Sequence, residues 1–136
     1  MKKLVLSIWI SIAALPMSAQ QPGEDPIAQQ LFPPDLIMAH QDELGLQEKQ
    51  RAAIKSEVLK AQPKFLEAQW EVGDESQKMI ALLRATPIDE AKVLEQADRV
   101  MALERDVKRT HLGLLIRVKN LLTPEQIKRL EQIRRK

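Results

Sequence analysis

The chain has 136 residues, no cysteine, and 21 basic against 19 acidic side chains. That length predicts one small domain, and the missing cysteines exclude disulfides, thiolate metal sites and cysteine nucleophiles. Aromatic residues are scarce, so the core has to be built from Leu, Ile, Val, Ala and Met, which suits packed helices.

The first segment has the three parts of a secretory signal. Lys2 and Lys3 form a positive start, Leu4 to Leu15 is an uncharged apolar run, and Ser18-Ala19 offers a small-residue cleavage site. A run of about 12 residues falls short of the ~20 needed to span a bilayer. There is no cysteine to acylate. Residues 1–19 are therefore expected to be a cleaved signal peptide ending near Ala19, and the mature chain is expected to be periplasmic. Loss of Lys2 and Lys3 leaves 19 bases and 19 acids, so the pI near 9.0 is a signal-peptide effect and does not argue for nucleic-acid binding. The remaining charge is uneven: residues 20–98 carry 15 acids and 8 bases, residues 99–136 carry 4 acids and 11 bases. Such a chain can pair its own halves, or pair head to tail with a copy of itself.

Residues 20–34 hold Pro22, Gly23, Pro26, Pro33 and Pro34 and read as a flexible leader. Pro34 can open a short helix to about Leu44, with Gly45 as its stop. From about Gln47 to Arg84 a helical stripe runs through Ile54, Val58, Ala61, Phe65, Ala68 and Val72, continuing to Met79 and Leu83. Pro63 is expected to kink or break this helix, and Gly73 weakens it. Ala85-Thr86-Pro87 makes a turn. A second long helix follows to about Leu121, with Val93, Ala97, Val100, Val107, Leu114 and Val118 on its stripe. A last short helix covers about Pro124 to Arg134. The expected fold is all-α, with residues 35–136 forming a long antiparallel hairpin that has a short helix at each end. A hairpin this thin buries little apolar surface per residue, so a homodimer is expected.

Leu122-Thr123-Pro124-Glu125-Gln126 is the clearest local signal. Thr123 is placed as an N-cap, Pro124 fills the first helical position, and Gln126 can reach back to close a capping box. Leu46-Gln47-Glu48-Lys49-Gln50 is an earlier copy that keeps Leu46 and Gln50 but has Gln47 where Thr would cap. Each copy opens a helix, one before the hairpin and one after it. With Phe32-Pro33-Pro34-Asp35-Leu36 as lead-in, the chain resembles the Spy/CpxP family of periplasmic stress proteins, whose mark is a pair of LTxxQ motifs flanking a helical hairpin. Broader relatives include periplasmic heavy-metal sensor and zinc-resistance-associated proteins. The resemblance implies a cradle-like helical dimer. It also implies a function: binding unfolded envelope proteins without ATP, or modulating a membrane-bound envelope-stress or metal sensor.

Metal ligands are sparse. His40 and His111 are the two histidines, and neither has another three or four residues away. Met38 is two residues from His40 and does not share its helix face. His111 falls on the apolar stripe and is expected to be a core residue bonded to a neighbour, so no metal site is assigned. Leu59, Leu66 and Trp70 form a second apolar ridge off the main stripe, and Arg105, Lys108 and Arg109 form a basic run. Together they are the candidate surface for unfolded clients. Both groups also fit plainer roles, the ridge in a dimer interface and the cations on a solvated helix face. No Gly-rich phosphate loop, Gly-x-Ser-x-Gly or His-Glu-x-x-His occurs, so neither an enzyme nor a cofactor is expected.

Overall fold

A computed structural model describes residues 25–136. The signal peptide expected over residues 1–19 lies outside the described residues. Four α-helices follow in order: α1 Pro34–Ala39, α2 Glu48–Leu83, α3 Glu90–Lys119 and α4 Pro124–Arg134. Among the described residues there is no strand, and no helix is long and apolar enough to cross a membrane. The all-α hairpin expected from the sequence is what forms.

Each helix start has a local cause. Pro33 and Pro34 set the backbone for α1, Pro34 needing no N–H in the first turn. Asp89 caps α3, its carboxylate accepting from the Lys92 N–H at 3.2 Å. α1 is shorter than the sequence suggests. It stops at Ala39, and the chain turns through residues 40–45 until Gly45, at φ 60°, redirects it into α2. That left-handed value favours glycine.

Pro63 neither ends nor divides α2, which runs unbroken for 36 residues, about 54 Å. Its ring removes one N–H and leaves the Leu59 carbonyl without that donor. Leu59 is on the solvent side, where water can take the place of the lost bond.

The core sits at the base of the hairpin. Phe32, Ile37, Ile54, Val118 and Leu130 are almost wholly buried, drawn from the N-terminal segment and all four helices. Towards the tip little is sealed, and residues 83–92 are exposed throughout. The leader expected through residue 34 therefore ends sooner. Ala28–Gln30 forms a 3-10 turn, and Leu31 and Phe32 are buried. A clasp of cations holds them there. Arg134 Nη1 donates to the Gln29 carbonyl at 2.6 Å and Nη2 donates to the Leu31 carbonyl. Lys119 Nζ donates to the Gln30 carbonyl at 2.6 Å. The Arg134 guanidinium also lies 4.3 Å from the Phe32 ring centre, a cation–π contact.

Candidate functional site

The two LTxxQ-like motifs, 72 and more residues apart in sequence, meet at the base of the hairpin through their glutamines. Gln50 Nε2 donates to Gln126 Oε1 at 2.8 Å, and Gln126 Nε2 donates to Gln50 Oε1 at 3.1 Å. Each amide also caps its own helix. Gln50 Oε1 accepts from the Gln47 N–H at 3.0 Å, and Gln126 Oε1 accepts from the Thr123 N–H at 2.9 Å. The remaining amide hydrogens reach across the fold, Gln50 to the Leu121 carbonyl at 2.9 Å and Gln126 to the Leu44 carbonyl at 3.3 Å. Both amides thus use two donors and two acceptor positions, which is all they have. Leu46 and Leu122 are buried beside them.

The motif is therefore more than two separate caps. It ties the start of α2 to the start of α4. The repeated Leu–x–x–x–Gln spacing was the sequence signal for a paired role, but nothing local shows that the glutamines bond to one another. Thr123 adds the local part, its hydroxyl accepting from the Gln126 N–H at 3.2 Å. Thr123→Ala is expected to lower stability by about 1 kcal/mol. Thermal melts check this, and an unchanged midpoint would contradict it.

Two carboxylates hold α2 to α3 above the base. Glu57 accepts from Arg117 Nε at 2.6 Å. Gln96, buried despite its amide, donates to the Glu75 carbonyl at 2.8 Å and to its carboxylate at 2.6 Å, and Lys78 pairs with the same carboxylate. The Arg117 hydrogen bond, with help from Lys60, holds Glu57 below its usual 4.5. Bonds from Lys78 and Gln96 do the same for Glu75. A depressed folded-state value contributes stability above the usual value and loses it as pH falls through the lowered one. The melting-point gap between the parent and Glu57→Gln is thus expected to shrink from about pH 6 to about pH 3, and a constant gap would contradict this.

The candidate client-binding residues are exposed but not gathered into one patch. Leu59, Leu66 and Trp70 are 54, 57 and 70% accessible. They stand on the side of α2 opposite its packed stripe of Ala61, Phe65 and Val72. Arg105, Lys108 and Arg109 are exposed on α3, turned away from that helix's packed stripe of Val100, Val107 and Leu114. The ridge and the basic run thus occupy the two outer faces of the hairpin. Exposed apolar residues also flank the basic run, Leu94 and Met101 above it, Leu112 and Ile116 below.

A family model described as heavy-metal resistance matches residues 6–135. The chain belongs to the heavy-metal resistance family. This is the LTxxQ-type, Spy/CpxP-like group to which the paired motifs point. No curated protein and no solved structure matches the chain.

Membership of the heavy-metal resistance family directs attention to the donors. Among the described residues no three of His, Asp or Glu converge as a metal would require. His40 is half-exposed, with Nδ1 at 3.5 Å from the Glu43 carboxylate. His111 is exposed rather than in the core, its ring edge-on to Phe65 with centres 6.0 Å apart. The expectation of a core histidine fails for a simple reason. Between Val107 and Leu114 the inward position can fall on residue 110 or 111, and the helix turns half-buried Thr110 inward. His40 and His111 each stand with one neighbour, a carboxylate for the first and an aromatic ring for the second.

Proposed function

We propose that this member of the heavy-metal resistance family is a periplasmic, nucleotide-independent binding protein that holds unfolded or partly folded envelope proteins. No chemical step, cofactor or nucleic acid belongs to this reading, and self-association into a homodimer does. The observation that carries it is the exposed Leu59–Leu66–Trp70 ridge on a rigid helix. Exposed apolar groups beside charge suit chains that have not folded. The cations of the opposite face add long-range attraction for acidic clients, which salt screens. The test is suppression of aggregation of a chemically unfolded client at low and moderate salt, in chelator. Suppression that weakens with salt is expected, and its absence at stoichiometric protein would overturn the reading.

The family itself favours a second reading, a metal-responsive modulator of a membrane-bound stress or metal sensor. It requires metal to bind through His40 or His111, partnered by groups outside one chain's described residues. Titration calorimetry with zinc, copper and nickel decides it. Heat that disappears in His40→Ala or His111→Ala supports it, and no heat removes the metal version.

A further inference from the structure

The ridge on α2 is not evenly charged along its length. Its upper part is acidic. Glu67 stands three residues before Trp70 and Asp74 four residues after it, so both share the helix face of the indole, and Glu71 borders them. All three carboxylates are exposed, and none is in an ion pair. From Pro63 to Gln77 the one base is Lys64, against four acids, of which Glu75 is already paired with Lys78.

An exposed indole between two free carboxylates is a seat for a cation. The ring face attracts an ammonium or guanidinium group, and the carboxylates accept its hydrogen bonds. Gly73, one turn beyond Trp70, carries no side chain and has nothing within 4 Å of where a Cβ would stand, so no neighbour crowds the ring from that position. The free cations Arg105, Lys108 and Arg109 stand on the opposite outer face and do not fill the seat. The lower part of the ridge is apolar in character. Leu59 borders a groove against α1 that has Pro34, Met38 and Val58 among its walls. Leu59 and Trp70 are about 17 Å apart along the helix, a length that roughly five residues of extended chain cover.

We infer that the α2 ridge selects, among unfolded chains, short segments that join apolar residues to a lysine or arginine. The apolar residues lie along Leu59 and Leu66, and the cation sits on Trp70 between Glu67 and Asp74. The inference rests on the client-binding reading above and names the chemistry of the client segment that the ridge takes. Its preference is the reverse of that of the α3 cations, which draw acidic chains from a distance. The two outer faces therefore sort different segments of one client, basic and apolar on α2, acidic towards α3.

Three tryptophan-free peptides of equal length and equal leucine content test it, with lysine, serine or glutamate at the remaining positions. Trp70 is the one tryptophan outside residues 1–19, so its fluorescence in the mature chain reads occupancy of the seat itself. The lysine peptide is expected to bind about tenfold more tightly than the glutamate peptide, with the serine peptide between them, and the gap is expected to shrink as salt rises. Glu67→Gln combined with Asp74→Asn changes charge at two exposed positions and hardly any shape. Circular dichroism verifies that this variant stays helical, and sedimentation is expected to give it the parent's mass. It should close most of the gap while leaving the serine peptide's Kd unchanged. Equal binding of the three peptides, or tighter binding of the glutamate peptide, overturns the inference and leaves client binding standing. Binding of none of them overturns both. A gap that survives the double substitution overturns the inference, and so does an altered mass, which would give these carboxylates to the contact between copies.

Discussion

Gln126→Ala is expected to be among the most damaging single substitutions in the chain. The side chain is buried and supplies two donors and two acceptor positions, and all are in use. Removing it takes a partner from the Gln50 amide, the Thr123 N–H and the Leu44 carbonyl, the first two part-buried and the last buried. Each unsatisfied buried group costs about 1–3 kcal/mol. With partial relaxation, a loss of about 2–4 kcal/mol is expected, against about 1 for the Thr123 cap alone. For a domain of this size that lowers the melting midpoint by at least about 8 °C. Gln126→Glu should be no milder. The added oxygen cannot donate to Leu44 or Gln50, and it brings a charge into the base of the hairpin. Chemical and thermal unfolding of both variants checks this. A change below about 1 kcal/mol would mean that the paired amides are incidental to the fold.

Phe32→Ala is expected to cost about 3–5 kcal/mol, the range for deleting a buried aromatic side chain. The ring is 1% accessible and lies under the Arg134 guanidinium. Its loss empties the bottom of the core and removes the surface on which that cation rests. The consequence is local as well as global. Residues 28–32 are otherwise tied down by the burial of Leu31 and by bonds from Arg134 and Lys119 to three backbone carbonyls. They should then become the most easily cleaved part of residues 25–136, at a free energy below that of global unfolding. Limited proteolysis with peptide mapping reads this directly. Phe32→Leu, which keeps most of the volume, should recover much of the stability. If Phe32→Ala unfolds in one step with no early cleavage near residue 30, the segment is held by something other than the ring.

The helices themselves were legible in the sequence because their signals are local. Thr123-Pro124 starts α4, Gly45 turns the chain into α2, and apolar spacing marks both arms of the hairpin. What could not be read depends on residues that meet only after folding. Gln50 and Gln126 each looked like an ordinary capping residue, and only the fold reveals that they bond to each other. Phe32 sits among prolines in a stretch that reads as a linker, and it is buried in a core shared with Ile54, Val118 and Leu130, far along the chain. At Pro63 the sequence allows a kink or a break, and the break does not occur. The rule that proline breaks helices is about one missing bond, and packing on both sides of Pro63 outweighs it. His111 was placed wrongly by a single position around the helix, which periodicity alone leaves open over a seven-residue gap.

Client capture and metal response both require outer surfaces that a stable base holds in place. The ridge on α2 and the basic run on α3 can face partners only while the helices keep their register, and that register is anchored where the two motifs meet.

The coupling between the two motif glutamines tests this most directly. Gln50→Ala, Gln126→Ala and the double variant form a thermodynamic cycle, each stability being measured by urea unfolding. Residues that bond to one another are expected to show a coupling of at least about 1 kcal/mol, the double variant losing less than the two single losses added together. Strict additivity would contradict the account, because it would make each glutamine a cap for its own helix alone.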